Sequence, residues 1–255
     1  MMDAAPLAGR TMVITGASSG IGRGIALAAA QAGADVALTY RSNETGVRET
    51  AADVEAIGRR ALVHRMDLSD AQSIDAVADG VSGTFGRIDA WVNNAGADIV
   101  TSGGDALSRL DKLDLLLRVD LRGTMIASWK AAELMAAQSA GGVIVNISWD
   151  HVATGMEGSN PQLYSAAKGA ITSFSKSLAR SVAPRVRVNI VAPGWIETAF
   201  GSGVDRDVSR AFAESTPLKR WGKPADVAAA VVFLASPAAS FLTGETINVG
   251  GGVVM

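Results

Sequence analysis

The architecture of this chain follows from residues 11–22, which read TMVITGASSGIG. The first five of these residues are mostly β-branched and apolar, and this composition predicts a short buried strand. Residues 21–32 then have the composition of a helix that Gly33 closes. A glycine-rich turn between a strand and a helix offers free backbone N–H groups and the positive end of a helix dipole, so it favours a bound phosphate.

The same alternation of strand and helix continues along the whole sequence. Further strands are predicted at residues 35–40, 61–65, 90–92, 142–147, 186–191 and 246–249. Further helices are predicted at 44–57, 71–85, 108–138, 161–182 and 225–234, and Gly123 is a possible break in the helix at 108–138. Apolar strands that alternate with helices indicate a parallel sheet. We therefore predict an α/β fold, a single doubly wound (Rossmann) domain over residues 1–255, with about seven parallel strands and helices on both faces.

Composition excludes several other classes of protein. Hydrophobic residues make up 48% of the 255 residues and charged residues 19%, which permits a large core. The net charge of −2 and the lack of a basic run argue against nucleic acid as a partner. The chain has no cysteine and only two histidines, His64 and His151, so no metal site is expected. Residues 1–10 lack a signal pattern, and residues 227–244 are interpreted as a buried helix and turn, so we expect a cytoplasmic protein without membrane contact.

The glycine-rich turn and the ends of the next strands supply candidate cofactor-binding residues. The second strand ends at Tyr40-Arg41-Ser42, without the carboxylate that would accept a hydrogen bond from a ribose 2′-hydroxyl. Arg41 and Ser42 could instead bind a 2′-phosphate, which favours NADP over NAD. The alternative is that Arg41 is only a solvated loop charge, with Glu44 close by.

The third and fourth predicted strands end at further polar or small residues. Asp67 could accept a hydrogen bond from an adenine amino group, and Asp67 or Ser69 could cap the next helix. Asn94 could pin neighbouring strands, and small residues beside it would leave room for a cofactor. The candidate cofactor-binding residues to this point are Gly16, Ser18, Ser19, Gly20, Ile21, Gly22, Arg41, Ser42, Asp67, Leu68, Asn94, Ala95 and Gly96.

Tyr164 and Lys168 stand four residues apart in a predicted helix, so they share one helix face. An ordinary tyrosine titrates near pH ~10, and a neighbouring ammonium favours its phenolate. Such a pair can move a proton near neutral pH. Chance pairs of this spacing are common, so the interpretation depends on the other motifs.

With these motifs in this order, the chain resembles the short-chain dehydrogenase/reductase family, in its 3-oxoacyl-[acyl-carrier-protein] reductase-like branch. The resemblance rests on residues 15–22, residues 93–96, the Tyr164 and Lys168 pair, and the segment Pro193-Gly194-Trp195-Ile196-Glu197-Thr198. It implies that Pro193, Gly194, Ile196 and Thr198 hold a nicotinamide, that Tyr164 donates or accepts a proton, and that Lys168 lowers the Tyr164 pKa and holds the ribose. It also implies a polarising serine after the fifth strand and an asparagine that supports water near the lysine.

Two positions depart from that family pattern. Asp120 stands where the family usually has asparagine, and Trp149 stands where it usually has the active serine. Ser148 is the nearest hydroxyl, and a longer segment between Ser148 and Tyr164 could re-aim it; Asp150 or His151 are the alternatives. The predicted catalytic residues are Tyr164, Lys168, Ser148 and Asp120, although Asp120 could also be a helix-kink residue without a catalytic part.

The predicted activity is hydride transfer between NADP(H) and a carbonyl or secondary alcohol of a small molecule. One alternative is an NAD(P)-binding protein with weak or no turnover, acting as a sensor or partner subunit, and another is an NAD-linked polyol or sugar dehydrogenase. Residues 201–217 are expected to form a substrate lid, and Trp149, Met156, Trp195 and Phe200 to line an apolar pocket. Apolar faces on the helices near 113–137 and 166–178 resemble the subunit contacts of a homotetramer.

Overall fold

The computed structural model describes residues 5–101, 103–198 and 206–255. Within these residues one sheet of seven parallel strands has the order β3-β2-β1-β4-β5-β6-β7. The strand order reverses between β1 and β4, which places a ligand-binding crevice beyond the carboxyl ends of these strands. The strands are β1 (Thr11–Ile14), β2 (Asp35–Tyr40), β3 (Ala61–Arg65), β4 (Ala90–Asn93), β5 (Gly142–Ile147), β6 (Val186–Pro193) and β7 (Thr246–Val249).

Helices cover both faces of the sheet. The described helices are α1 (Gly20–Gln31), α2 (Glu44–Ala56), α3 (Ala71–Phe85), α4 (Arg109–Leu116), α5 (Thr124–Ala137), α6 (Ser159–Val182), α7 (Arg206–Ser215) and α8 (Pro224–Ala235). Met12 and Ile14 of β1 pack in the core that contains α1, α2 and α8, whereas Val13 packs in the opposite core with α3, α5 and α6. The period of two along a buried strand therefore divides the hydrophobic core into two layers. The predicted α/β doubly wound fold is confirmed.

The long predicted helix is interrupted near Gly123, where the sequence indicated a possible break. The sequence predicted a helix over 108–138 with a possible break at Gly123, but a π-helical segment, Leu117–Gly123, separates α4 from α5. The π-helical segment ends at Gly123, where an added Cβ would lie 2.6 Å from the Leu68 carbonyl oxygen. Widened turns of this type occur often at functional sites, and this one contains the buried Asp120.

The described residues contain neither a candidate membrane-spanning helix nor a candidate metal-binding cluster. None of the helices described there is both long enough and apolar enough to cross a lipid bilayer. In the same part of the chain, no group of three or more histidine or acidic side chains is arranged to hold a metal ion.

Candidate active site

The glycine-rich turn, residues 15–22, is tied to the end of β4 by side-chain hydrogen bonds. The Thr15 hydroxyl oxygen accepts from the backbone N–H groups of Asn94 and Ala95, each at 2.9 Å. In return, Asn94 Nδ2 donates to the carbonyl oxygens of Thr15 at 2.9 Å and Gly16 at 3.2 Å. Asn94 therefore pins two neighbouring strands, as its position predicted.

The turn is too tight for side chains at two of its glycines. Gly16 has a φ of +66°, and a Cβ on Gly22 would lie only 2.1 Å from the Gly16 carbonyl oxygen. The helix α1 starts directly behind this turn, and its N-cap residue Ser19 makes no side-chain capping hydrogen bond. The first-turn N–H groups are thus left for another acceptor, which fits a diphosphate.

The segment Pro193–Thr198 lies across the mouth of this turn. A Cβ on Gly20 would lie 3.4 Å from Thr198 Cγ2. Ile196 is buried, and its backbone bridges to Gly222. The segment Pro193–Thr198, to which the family resemblance assigned the nicotinamide, is therefore next to the glycine-rich turn that is expected to bind the phosphates.

Arg41 and Ser42 are exposed at the end of β2. Glu44 does not neutralise Arg41, because its carboxylate accepts from Arg48 Nε at 2.8 Å and from Arg48 Nη2 at 2.6 Å. Among the described residues, the hydrogen bond of Arg41 is made by its backbone, whose carbonyl oxygen accepts from Arg65 Nε at 3.1 Å, while the Arg41 charge helps to lower the pKa of Asp67 without a direct ion pair. The Arg41 guanidinium is therefore available to an anion at this edge of the site.

The predicted capping role after β3 is wrong. Asp70 caps α3 by accepting from Gln72 N at 2.9 Å, so neither Asp67 nor Ser69 is the cap. Asp67 instead accepts from the backbone N–H and the hydroxyl of Ser69, and hydrogen bonding from Ser69 lowers the pKa of Asp67. The following Leu68 is buried in the core. The Asp67 carboxylate, three residues before the cap Asp70, thus forms its own turn with Ser69, which remains compatible with the predicted adenine contact.

Tyr164, Lys168 and Asp120 come together at the carboxyl edge of β5. Lys168 Nζ lies 5.3 Å from the centroid of the Tyr164 ring, 3.4 Å from the Ile147 carbonyl oxygen and 3.0 Å from Asp120 Oδ2. The side chains of Lys168 and Asp120 are 4% and 0% exposed. Asp120 Oδ1 accepts from Ala97 N at 2.7 Å, so this carboxylate also holds the loop after β4.

The pKa values of this cluster differ from the expectation. Burial raises the pKa of the Tyr164 phenol, the Lys168 charge lowers it, and the Asp120 charge raises it again, so that the net direction is upward. Burial alone would lower the pKa of Lys168, but Asp120 and Tyr164 together outweigh burial and raise it. The sequence predicted that Lys168 would make the phenol more acidic; the buried carboxylate beside Lys168 opposes that effect.

Ser148 lies at the cleft, but its hydroxyl is directed toward α6. It donates to the Lys168 carbonyl oxygen at 3.0 Å and lies 2.7 Å from the Thr172 hydroxyl. The longer segment before Tyr164 therefore does not re-aim this hydroxyl to a position beside the phenol. Trp149 occupies the adjoining position, with its ring centroid 5.3 Å from that of Tyr164 in an edge-on arrangement.

The alternative donors, Asp150 and His151, bind each other. His151 Nδ1 lies 2.6 Å from Asp150 Oδ1, and the imidazole stacks on Trp149 with 4.9 Å between ring centroids. Burial raises the pKa of Asp150, although its contacts with His151 act in the opposite direction. Neither residue lines the cleft that contains Tyr164.

That cleft has a volume of about 470 Å³ and is mostly apolar. It includes Tyr164, Thr198 and Ile21, so it joins the phenol to the glycine-rich turn. Its walls include Ile99, Val100, Trp149, Met156, Trp195 and Phe212. Trp149, Met156 and Trp195 thus lie where the sequence predicted, whereas Phe200 is outside the described residues. A neighbouring cavity of about 510 Å³, beside Thr216–Leu218 and Gly250–Gly252, lacks Tyr164, and we assign the chemistry to the first cleft.

Two polar residues of the cleft, Asp98 and Asn160, were not predicted from the sequence, and the second of them belongs to α6. It lies four residues before Tyr164 on α6, so it shares the helix face of Tyr164 and Lys168. Its Oδ1 accepts from the buried Lys112 Nζ at 3.1 Å, which fixes the orientation of the amide. Asn160, Tyr164 and Lys168 follow one another at intervals of four residues, so the spacing that identified the second pair could also have identified Asn160 from the sequence.

Known proteins resemble this chain over nearly its whole length. A family profile described as enoyl-(acyl carrier protein) reductase matches residues 16–254. The 3beta-hydroxysteroid dehydrogenase 1 of Eggerthella lenta is 34% identical over 98% of this chain and 95% of its own length. The 3-oxoacyl-[acyl-carrier-protein] reductase of Synechocystis is 35% identical over 98% of both.

A solved structure extends the likeness to three dimensions. The short chain dehydrogenase from Burkholderia cenocepacia, crystallised in complex with NADP, is 34% identical and superposes with a TM-score of 0.87. The match covers 97% of this chain and 99% of that one. The likeness therefore extends over nearly the whole chain.

Proposed function

The chain belongs to the short-chain dehydrogenase/reductase family, and from this premise we propose that it transfers hydride between NADP(H) and a carbonyl or secondary alcohol. Membership of this family makes it an oxidoreductase. The observation that supports the finer proposal is one cleft in which Tyr164 and Thr198 meet, with Lys168 beside the phenol. A substrate bound in this cleft would therefore be in reach of both the proton donor Tyr164 and the expected nicotinamide site at Thr198.

The residues of the site fit a dinucleotide along its whole length. The glycine-rich turn would hold the diphosphate, Asp67 the adenine, and Pro193, Gly194, Ile196 and Thr198 the nicotinamide end. Arg41 and Ser42 favour NADP, because the Arg41 guanidinium makes no direct hydrogen bond or ion pair with an acidic side chain among the described residues and the Burkholderia structure contains NADP. Once bound, the cofactor would supply or accept the hydride.

The side chains of this protein handle the proton. In reduction, the Tyr164 hydroxyl donates its proton to the substrate oxygen, and in oxidation the phenolate takes it back. Lys168 supplies the positive charge that stabilises the phenolate, and Asp120 holds Lys168 in place at 3.0 Å. The apolar walls of the cleft exclude water, which strengthens each of these electrostatic interactions.

The walls of the cleft favour an apolar or ring-bearing substrate. Trp149, Trp195 and Phe212 present aromatic surface, and Trp195 stacks on Phe212 with 4.1 Å between ring centroids. Phe212 belongs to α7, so the part of the proposed lid that the structure describes reaches the cleft; residues 201–205 lie outside the described residues. The steroid named for the Eggerthella relative is a substrate of this shape and polarity.

A second candidate is a dinucleotide-binding protein with weak or no turnover. The orientation of Ser148 favours it, because that hydroxyl is occupied by Lys168 and Thr172 rather than free for a substrate oxygen. The two candidates predict the same cofactor binding and differ only in rate.

Turnover with NADPH distinguishes the two candidates. Purified protein is screened against ketones, quinones, 3-oxo steroids and 3-oxoacyl thioesters, and Tyr164→Phe is compared with the wild type. We expect Tyr164→Phe to lower kcat by about 10²-fold or more, since general acid catalysis contributes that much. The matched control is Tyr40→Phe, because Tyr40 is the only other tyrosine in the chain. A wild-type rate no higher than that of Tyr164→Phe supports the binding protein instead.

We also infer that the active form is a homotetramer. Two large apolar side chains remain exposed on the helices next to the site, Leu110 at 70% and Trp129 at 51%. A second apolar region, with Phe241 fully exposed, lies near the C-terminal strand. Light scattering coupled to gel filtration should give four times the chain mass, and Trp129→Glu should give a smaller species. A monomeric wild type contradicts the inference.

A further inference from the structure

A buried ion pair is the most unusual feature of the cluster around Tyr164. Asp120 and Lys168 are joined at 3.0 Å, and neither side chain is more than 4% exposed. Among the described residues, no other carboxylate forms an ion pair with Lys168. Bulk solvent and salt screen such a pair far less than an exposed one.

The rest of the structure fixes this carboxylate in place. Asp120 Oδ1 accepts from Ala97 N at 2.7 Å, and the π-helical segment Leu117–Gly123 directs the side chain toward α6. Burying a carboxylate is costly unless a cation and hydrogen bonds compensate, and Lys168 and Ala97 supply both. The pair is therefore a permanent part of the site.

The charge of Asp120 has an immediate effect on Tyr164. An ammonium alone stabilises the phenolate, but a carboxylate 3.0 Å from that ammonium offsets part of its effect on the phenol. An amide at position 120 could accept the same hydrogen bond from Ala97 and would leave the ammonium unbalanced. The choice of acid over amide at this position therefore acts on Tyr164 through Lys168.

The other charged or titratable groups around Tyr164 are occupied elsewhere. From the loop after β4, Asp98 accepts from the backbone N–H groups of Val100 and Thr101. From α4, Lys112 donates to Asn160. From the turn after β5, His151 and Asp150 bind each other. The charged pair beside the Tyr164 ring is thus formed by Lys168, which lies 5.3 Å from the ring centroid, and its partner Asp120.

We propose that Asp120 is a positioning residue that balances the charge of Lys168 and holds the Tyr164 phenol in its protonated form. The site is thereby set to donate a proton at neutral pH, in the direction of carbonyl reduction. This assignment of direction rests on the proposed function, whereas the protonation of Tyr164 does not. Burial and the Asp120 charge both raise the pKa of Tyr164, in agreement with the geometry.

The test uses the fact that the chain contains only two tyrosines, Tyr40 and Tyr164. In a Tyr40→Phe background, tyrosinate absorbance or a ¹³Cζ-tyrosine NMR signal reports Tyr164 alone, without any substrate. We expect its midpoint to lie above that of ordinary tyrosine, and Asp120→Asn to lower it by about one pH unit or more. A midpoint at or below the ordinary value, or one that Asp120→Asn does not move, overturns the proposal.

Two controls keep the result unambiguous. Asp150→Asn removes another buried carboxylate near the cleft that pairs with His151 rather than Lys168, and it should leave the midpoint in place. Thermal unfolding checks that Asp120→Asn is folded; if it is not, Asp120→Ser, which removes the same charge, takes its place, and a midpoint of the Tyr40→Phe protein at or below the ordinary value overturns the proposal in either case. Absence of turnover with a raised midpoint would remove the proposed function only, and turnover with an ordinary midpoint would remove this inference only.

Discussion

At the scale of the single residue, Arg41 is the most direct test of cofactor choice. Its guanidinium makes no direct hydrogen bond or ion pair with an acidic side chain among the described residues, so Arg41→Ala should remove one charge-assisted hydrogen bond to a 2′-phosphate. Such a bond is worth about 1.5–3 kcal/mol, which corresponds to a Kd for NADPH that is about 10- to 100-fold higher. The Kd for NADH should stay the same. Fluorescence titration of both cofactors measures the difference.

A matched control lies on the next helix. Arg48 has the same charge and is exposed, but it is bound to Glu44, so Arg48→Ala should change neither dissociation constant. If Arg41→Ala behaves like Arg48→Ala, Arg41 is a solvated loop charge and the NAD-linked alternative gains support.

Some individual residues could be predicted from the sequence and others could not, for a physical reason. Tyr164 and Lys168 belong to one helix, and Thr15 and Asn94 follow adjoining strands, so spacing alone brings each pair together. The ion pair of Asp120 with Lys168 joins segments that are distant in the sequence, so no pattern of neighbouring residues predicts it. The direction of the Tyr164 pKa was wrong for the same reason, because burial and the Asp120 charge exist only in the folded protein.

At the scale of the element, the junction of β1 and α1 depends on backbone contact. Gly22→Ala adds a methyl group 2.1 Å from the Gly16 carbonyl oxygen, so the turn must open. Alanine would improve helix propensity by about 1 kcal/mol, but overpacking costs about 1–3 kcal/mol, so we expect net destabilisation and weaker NADPH binding. Urea denaturation and cofactor titration measure the two effects.

The control for this change is a glycine inside α3. A Cβ on Gly83 meets no atom within 4 Å, so Gly83→Ala should stabilise the protein by about 0.5–1 kcal/mol without affecting the cofactor. Equal effects of the two substitutions would show that the turn does not need its glycine.

The elements themselves were predicted with uneven success. The bounds of α3 agree with the sequence because Asp70 and Gly86 mark its two ends by capping and by a left-handed turn. The π-helical segment was not predicted, because a widened turn needs no special residue and depends on what packs against it. Here the close approach of Gly123 to Leu68 shows that contact.

At the scale of the whole molecule, stability should depend on pH through His64. Burial lowers the pKa of His64, so between its ordinary value near 6.5 and the lower folded value only the unfolded chain binds a proton. The free energy of unfolding should therefore fall as pH decreases below about 6.5, with no contribution above it. Asp35, whose pKa is lowered although burial opposes the shift, acts only below about pH 4.

Urea denaturation at about pH 7.5 and about pH 5.5 checks this window. His64→Gln, which is neutral at both values, should reduce the difference in stability between them. An undiminished difference would mean that another group carries the pH dependence.

The global architecture was the easiest part to predict, because the alternation of strand and helix leaves few arrangements. A parallel sheet brings every strand end to one edge, so the polar residues after β1, β4 and β5 had to meet. The contents of the cleft were harder, since Asn160 and the orientation of Ser148 depend on contacts across that edge.

The tryptophans give the molecule a built-in optical reporter. Trp149 and Trp195 line the cleft, Trp221 lies 5.9 Å from Trp195 between ring centroids, and only Trp91 and Trp129 are elsewhere. Reduced nicotinamide absorbs light at the wavelengths where indole emits, so energy transfer should quench most of the intrinsic emission on binding. Occupancy of the site can then be followed in the unlabelled protein, before any substrate is identified.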